Sequence, residues 1–98
     1  MRVIWSDRAL RRLQELHDYI ARDQPINARR VIHRLLMRGE QLAQQPRSGR
    51  VVPEYDDPGL RELIDAPYRI LYVIGTEQVT VLSVRHGAEQ LPERWTML

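Results

Sequence analysis

The order of hydrophobic patterns along this chain is the feature that most constrains its fold. Apolar residues recur at helical spacing over about residues 7–22 and again over 25–42, and Asp23-Gln24-Pro25 separates the two stretches. Three strand-like runs follow, at residues 60–65, 69–75 and 79–86. No helical stretch divides these late runs, as a parallel sheet would require. The order predicts an α+β fold in which an antiparallel helical hairpin packs on an antiparallel meander.

The same sheet is predicted to include a strand near the N-terminus. Residues 2–5 are short, apolar and rich in strand formers, and Ser6-Asp7 after them suits the N-cap of the first helix. Residues 46–59 contain three prolines and two glycines, which cannot continue a helix, so we expect an exposed loop there. A tight polar turn at residues 76–78 divides the last two strands.

Length and composition limit the class of protein. A chain of 98 residues suffices for one core and is short for two, which predicts a single domain over residues 1–98. Hydrophobic residues make up 43% and charged residues 29%, as in folded globular proteins. There is no cysteine, so a reducing, cytoplasmic setting fits best. We expect no signal peptide and no membrane segment, because no apolar run approaches the necessary length.

All 15 basic residues are arginine and none is lysine, although the net charge is only +2. Genome composition is the general explanation, and chemistry is the other. Arginine binds phosphate and carboxylate bidentately, so a cluster would suit a nucleic acid or an acidic protein. The second predicted helix carries four on its polar side, Arg29, Arg30, Arg34 and Arg38. We interpret that side first as a solvated face, since helices of soluble domains carry charge outward.

Classical catalytic motifs are missing from the chain. There is no glycine-rich phosphate loop, no nucleophile elbow and no histidine set with metal-ligand spacing, so no cofactor or metal is expected. His17 and His33 are interpreted as structural residues. His86 differs because it ends the last predicted strand, directly after Arg85.

His86 and Arg69 form a conditional candidate site. If the turn between their strands has an even number of loop residues, Arg69 and His86 lie on one face and close together, whereas an odd loop separates them. An arginine that holds phosphate and an imidazole that moves a proton are components of an RNA-cleaving centre. The same pair would also suit an acidic partner or ordinary packing.

Six short segments, spread over nearly the whole chain, resemble those of one family. They are His17-Asp18-Tyr19-Ile20-Ala21, Pro25-Ile26-Asn27-Ala28, Pro46-Arg47-Ser48-Gly49-Arg50, Pro58-Gly59-Leu60-Arg61-Glu62-Leu63, Tyr68-Arg69-Ile70-Leu71-Tyr72 and Val84-Arg85-His86-Gly87. Their order is that of ParE-type toxins, so the chain resembles the RelE/ParE superfamily of bacterial toxins. The helix end Tyr19-Ile20-Ala21 and the strand Arg61-Glu62-Leu63 look more like the ParE branch than the RelE branch.

The resemblance implies the toxin of a type II toxin-antitoxin system, associated with plasmid stabilization and growth arrest. RelE-like members cleave mRNA in the ribosomal A site, while ParE-like members block DNA gyrase. Here Gly87 follows His86 where related nucleases often have a tyrosine, and the lysines that some of them use are absent. We therefore predict a gyrase inhibitor held by a cognate antitoxin. A ribosome-dependent endoribonuclease and a non-toxic relic that only binds its antitoxin are the alternatives.

The resemblance also implies site residues for each activity. The candidate gyrase contacts are Arg50, Arg61, Arg69, Arg85 and Trp95. The candidate ribonuclease residues are Arg61, Arg69, Arg85 and His86. The candidate antitoxin contacts are Leu13, Tyr19, Val31 and Leu35. A homodimer and a toxin-antitoxin heterotetramer are both compatible with these predictions.

The last nine residues contain tryptophan, methionine and leucine, an apolar composition for a segment that is usually polar and frayed. We expect this tail to pack back onto the sheet. A contact with the target or with a second copy is the alternative.

Overall fold

The computed structural model describes residues 1–98 as two helices packed on one five-stranded sheet. The elements in chain order are β1 (Arg2–Trp5), α1 (Asp7–Ala21), α2 (Pro25–Glu40), β2 (Arg50–Val51), β3 (Leu60–Asp65), β4 (Tyr68–Ile74) and β5 (Gln78–His86). Two short 3₁₀ turns follow α2 and end the chain, at Gln41–Ala43 and Trp95–Met97. Neither helix combines the length and the apolar character needed to span a bilayer.

Local chemistry sets the ends of the helical hairpin. The Ser6 hydroxyl accepts a hydrogen bond from the Ala9 amide at 3.0 Å, which satisfies one of the free donors at the start of α1. Pro25 occupies the first turn of α2, where its missing N–H costs nothing. The helical periods of the sequence thus predicted both helices within two residues of their bounds.

The α+β class is confirmed, but the sheet is mixed rather than wholly antiparallel. Its strand order is β1-β5-β4-β3-β2, and β1 pairs with β5 in parallel. The prediction of an antiparallel sheet is correct for the later strands and wrong for the pairing of β1. The helical hairpin and the later strands lie between β1 and β5 in the chain, and such a long connection allows two strands to run in the same direction.

The segment predicted as an exposed loop at residues 46–59 contributes an edge strand. Within it, Arg50 pairs with Glu62 and Val51 with Arg61. Val52 is fully buried next to this strand. The prolines and glycines confine β2 to two residues but do not prevent it from pairing.

A β-bulge in the hairpin of β4 and β5 changes which face of the sheet is occupied by the residues of β5 beyond it. Ile74 pairs with Val79, so one residue number is even and the other is odd. This is the pairing that a turn with an even number of loop residues produces. The register then shifts between Leu71 and Tyr72, which leaves Leu82 as an extra residue on β5.

Beyond the bulge, paired residues have equal parity: Arg69 faces Arg85, and Tyr68 faces His86. The prediction that Arg69 and His86 share a face is therefore wrong. An inserted residue moves every later side chain of β5 to the opposite face.

The sheet has an apolar cluster on each face. The larger cluster lies under the helices and includes Leu13, Leu35, Ile70, Tyr72 and Val81. The smaller lies on the other side, hereafter the outer face, and consists of Val52, Leu60, Leu71 and Leu98. Leu91 and Trp95 pack against it, and the Tyr55 hydroxyl donates to the Pro92 carbonyl at 2.6 Å. The tail thus packs back onto the sheet as expected.

Candidate functional site

The arginines predicted as site residues divide between the two faces of the sheet. Arg50, Arg69 and Arg85 lie on the outer face, because their cross-strand registers place them with Glu62 and Ser83 beside the smaller apolar cluster. Arg61 is opposite Tyr72, whose ring belongs to the helix-side cluster. The structure therefore separates Arg61 from the other three.

Glu62 connects two of these arginines from a fully buried position. Its carboxylate accepts from the Arg69 Nε and, at 2.8 Å, from the Arg50 Nε. The side chains of Glu62 and Arg69 are 0% and 8% exposed, whereas that of Arg50 is 59% exposed. A carboxylate this deep is tolerated only because both guanidinium groups hydrogen-bond to it.

Arg69 is held from its other side by Glu54. Its two terminal nitrogens donate to the two oxygens of Glu54 at 2.8 and 2.9 Å, a bidentate pair. Hydrogen bonds first to Glu54 and then to Glu62 raise the pKa of Arg69, against the opposing effect of burial. The Arg69 hydrogen bond also lowers the pKa of Glu54. Arg69 is therefore permanently charged, and each of its three guanidinium nitrogens donates to a carboxylate of the chain.

Arg85 forms a second ion-paired group with Glu89. Its Nη1 donates to Glu89 at 2.7 Å, its Nε donates to the Ser83 hydroxyl at 2.8 Å, and Arg12 from α1 pairs with the same Glu89. Burial acts to raise the pKa of Glu89, but the hydrogen bond from Arg85 and the other donors prevail, and its pKa lies below the ordinary value. Glu89 thus links α1 to the end of β5.

His86 lies on the helix side, at a cleft next to α1. Its ring meets that of Tyr68 edge to face, with centroids 6.0 Å apart. The Ala88 amide donates to its Nδ1 at 3.2 Å. The cleft has a volume of about 440 Å³ and is lined by Arg12, Leu16, Tyr19, Ile20, Tyr68, His86 and Glu89. Arg12 is thus the arginine that shares a cleft with His86, and Arg69 does not line it.

Arg61 differs from the paired arginines because it has no carboxylate partner. Its Nη1 donates to the Gly49 carbonyl at 3.0 Å, and its buried Nε lacks a hydrogen-bond partner. The neighbouring Tyr72 hydroxyl is held between the Gly49 amide and the Pro46 carbonyl. Burial raises the pKa of Tyr72. The contacts fix the segment before β2 on the sheet.

The predicted antitoxin contacts do not form one surface. Leu13, Val31 and Leu35 are buried in the helix-side core, because they lie on the inward faces of α1 and α2. These three need correction, since no partner reaches them while the hairpin is packed. Tyr19 is 68% exposed and remains a surface candidate. Trp95, the predicted target contact in the tail, is half-buried.

The carboxylates are the residues that the sequence reasoning missed. Glu54, Glu62 and Glu89 decide which arginines are free, yet attention to the basic residues alone passed over them. One signal was available: Glu62 stands between Leu60 and Ile64 in a strand, at a position expected to share their face. The structure contains no group of three or more metal-ligating side chains that would hold an ion.

Together the fold and the paired charges define a class: a small α+β protein whose arginines on the sheet are mostly joined to glutamates in ion pairs. The comparisons with known proteins give the family. A family model described as "ParE toxin of type II toxin-antitoxin system, parDE" matches residues 3–91. The chain belongs to this ParE toxin family.

Relatives and a solved structure agree with that assignment. The chain is 41% identical over 98 residues to "Putative toxin Y4kP" of Sinorhizobium fredii, covering 94% of each protein. It is 36% identical over 87 residues to "Toxin RelE2" of Caulobacter vibrioides, covering 88% of this chain and 94% of that protein.

The structure titled "Chromosomal ParDE TA system from P. aeruginosa" shares the fold, with a TM-score of 0.76 at 19% identity over 88% of this chain and 95% of that one. By its family the protein is the toxin component of a ParDE-type toxin-antitoxin system, in which the partner is a cognate antitoxin.

Proposed function

We propose that this toxin, once free of its antitoxin, arrests growth by inhibiting DNA gyrase. The observation that carries the proposal is the separation of Arg69 from His86 by the bulge at Leu82. RNA cleavage by 2′-hydroxyl attack requires a proton-transfer group and a charge-stabilising group around one phosphate. The two residues suggested for these roles lie on opposite faces.

The ion pairs support the same proposal. A phosphate would have to displace Glu54 and Glu62 from Arg69, or Glu89 from Arg85. Removing a guanidinium from a buried carboxylate leaves that carboxylate unpaired, which is costly. A protein target requires no such rearrangement, because it binds the surface as it stands.

Arg50 is the exposed member of the proposed target-contact set, whereas Arg61, Arg85 and Trp95 are half-buried and Arg69 is buried. Arg50 projects from the edge strand β2 and is more than half exposed, while Trp95 is half-buried in the tail on the same outer face. Arg69 and Arg85 support this surface from below through their carboxylate partners.

A supercoiling assay with purified gyrase, relaxed plasmid, ATP and increasing toxin tests the proposal, with a translation reaction run alongside. We expect loss of supercoiling, or trapped cleaved DNA, at concentrations that spare translation. Arg50→Ala should weaken inhibition, whereas Arg2→Ala, on the opposite edge strand, should not. Unaffected gyrase together with cut mRNA would overturn the proposal.

A ribosome-dependent ribonuclease is the second candidate, supported by the relative named Toxin RelE2 and by the cleft that brings His86 near Arg12 and Glu89. His86→Ala should abolish toxicity if the chain cleaves RNA. It should leave growth arrest intact if gyrase is the target. Normal growth after induction of the lone chain would instead indicate a relic that only binds its antitoxin.

A further inference from the structure

The ion-paired cluster of Arg50, Arg69, Glu54 and Glu62 has hydrogen-bond donors left over at one end. Each of the four carboxylate oxygens of Glu54 and Glu62 accepts from one guanidinium nitrogen, which uses four of the six nitrogens of the two arginines. The two that remain are the terminal nitrogens of Arg50, which form no hydrogen bond within the chain. A group that completes the cluster from outside is therefore a hydrogen-bond acceptor.

Arg69 shows which acceptor fits this position. Both arginines donate through Nε to Glu62, and Arg69 also donates through its two terminal nitrogens to the two oxygens of Glu54, at 2.8 and 2.9 Å. Arg50 presents the same fork of terminal nitrogens without a second carboxylate. Such a fork matches the spacing of two carboxylate oxygens. A carboxylate from another molecule would therefore take at Arg50 the place that Glu54 takes at Arg69.

Glu62 also holds the Arg50 guanidinium in place before any partner arrives. The Arg50 Nε donates to this fully buried carboxylate at 2.8 Å, while the rest of the side chain reaches solvent and is 59% exposed overall. A free surface arginine loses rotamer freedom when it binds a partner, and this loss weakens binding. Arg50 loses less of that freedom, because one of its nitrogens is already bonded.

A cleft of about 450 Å³ opens beside Arg50 on the outer face. It lies where the turn of residues 66–67 between β3 and β4 meets the segment after β2. Its apolar wall includes Pro53, Ile64 and Pro67, and Ile64 is a large strand residue that is 45% exposed. The cleft thus offers apolar contact next to the free arginine fork, as the methylene stem and the charged head of an acidic side chain require.

We propose that Arg50 and this cleft receive an aspartate or glutamate side chain of the toxin's target protein. The carboxylate would lie on the two terminal nitrogens of Arg50, and its stem would pack against Pro53, Ile64 and Pro67. The inference rests on the proposed function, because it assigns this contact to gyrase. It adds the chemical group that is recognised and the apolar residues that recognise it.

A nucleic-acid phosphate is the other acceptor to consider, and the cleft suits it less well. Surfaces that bind nucleic acid collect several unpaired cations. Here Arg50 is the only arginine of the lining with free terminal nitrogens, since those of Arg69 donate to Glu54. Glu54 itself lines the cleft and would repel a chain of phosphates. A single carboxylate on an apolar stem meets less of this repulsion.

The test measures binding of the toxin to purified gyrase without DNA, by calorimetry at two salt concentrations. Arg50→Gln removes both the charge and the fork, whereas Arg50→Lys keeps the charge and removes only the fork. The matched control is Arg2→Gln, which removes the same charge from an exposed arginine on the opposite edge strand. Circular dichroism and thermal melting check that each variant folds.

The apolar wall is tested separately by Ile64→Ser. Its control is Leu10→Ser on α1, because the two side chains are almost equally exposed, at 45% and 48%. Both replacements should leave the protein folded, since each residue already contacts water. Ile64→Ser should weaken gyrase binding severalfold, and Leu10→Ser should not change it.

We expect Arg50→Gln to weaken gyrase binding roughly tenfold or more and to reduce its salt dependence, as the loss of a charge-assisted pair requires. Arg50→Lys should weaken binding severalfold, because an ammonium group cannot form the fork. Arg2→Gln should change affinity much less. A backbone carbonyl in place of the carboxylate would make the salt dependence of Arg50→Gln equal to that of Arg2→Gln, which would contradict the inference.

Two results separate this inference from the proposed function. If wild-type toxin binds gyrase and Arg50→Gln binds it as tightly as Arg2→Gln does, the inference is wrong and the gyrase proposal stands. If wild-type toxin does not bind gyrase, both are wrong. A loss that Arg50→Gln shows only with a short DNA duplex would assign Arg50 to phosphate instead. Should Arg50→Gln unfold, Arg50→Lys and Ile64→Ser decide, and full gyrase affinity of both would contradict the inference.

Discussion

Glu62 and the two arginines that share its carboxylate show how position, at the scale of single residues, separates chemically identical groups. Arg50 and Arg69 both donate through Nε to this buried carboxylate. Arg50 reaches it from a solvated edge, where water can replace a lost hydrogen bond. Arg69 reaches it from within the sheet, where water cannot. A count of charges along the sequence does not distinguish Arg50 from Arg69.

Replacing each arginine by methionine should expose this difference. Arg69→Met leaves Glu62 buried with one donor and is expected to lower the free energy of unfolding by about 2–3 kcal/mol. Arg50→Met should cost less, about 1–2 kcal/mol, because Glu62 is buried but keeps its hydrogen bond from Arg69. Urea denaturation of both variants measures the difference. Equal losses would mean that Glu62 depends on both arginines alike, whatever their burial.

At the scale of elements, helix α2 packs closely against strand β1 because a glycine lies at their contact. A Cβ built on Gly39 of α2 would lie 2.3 Å from Cζ2 of Trp5, inside the distance that two carbon atoms tolerate. The Trp5 indole N–H also donates to Glu40 at 3.3 Å, so the ring is held from two sides. The close approach of α2 to β1 therefore depends on the missing side chain.

Gly39→Ala should destabilise the protein even though alanine favours helices. The gain in helix propensity is about 1 kcal/mol, and overpacking costs about 1–3 kcal/mol, so with a contact this short we expect a net loss. The control is Gly59→Ala, whose Cβ would meet only Asp57 Oδ1 at 3.4 Å. Thermal melting distinguishes the two, and a raised melting temperature for Gly39→Ala would contradict the packing shown here.

The elements also show which parts of the fold a sequence can predict. Periodic apolar residues predicted α1, α2 and the three late strands, because these periods reflect burial on one face. The bulge at Leu82 leaves no periodic signal, since it arises from how β5 pairs with β4. The prediction that Arg69 and His86 lie on one face was therefore wrong, although both strands were predicted correctly.

For the molecule as a whole, the ion pairs of the outer face connect segments distant in the chain. Glu54 holds the segment after β2 to Arg69, and Glu89 joins α1, β5 and the start of the tail. These partners are brought together only by the fold, so the sequence could suggest the arginines but not their state of pairing. The sequence therefore predicted which arginines belong to the candidate site, but only partly how their side chains are arranged.

The whole protein should lose stability in acid through these two carboxylates. The pKa values of Glu54 and Glu89 lie below their ordinary value of 4.5 in the folded chain. Near and below that value the unfolded state therefore binds more protons than the folded state. Their stabilisation is present above about pH 5 and is lost as the pH falls through the folded-state values.

Melting curves between about pH 6 and pH 3 test this effect. The variant Glu54→Gln with Glu89→Gln should melt lower than the wild type at pH 6 and should approach it in acid. Glu77→Gln with Glu93→Gln, which removes two carboxylates that form no ion pair, should keep the wild-type profile. Parallel profiles for all three proteins would show that these pairs do not govern acid stability.

The extra residue at Leu82 also affects how relatives of this chain should be aligned. If an alignment gains or loses one position in β5 after Val81, every later residue of the strand is assigned to the wrong face of the sheet. Column identity at Arg85 or His86 is then insufficient to equate side chains between two relatives. An ungapped alignment of a relative without the bulge would compare an outer-face arginine with a residue that contacts the helices. Functional residues should therefore be transferred across this segment by strand register, with the bulge counted first.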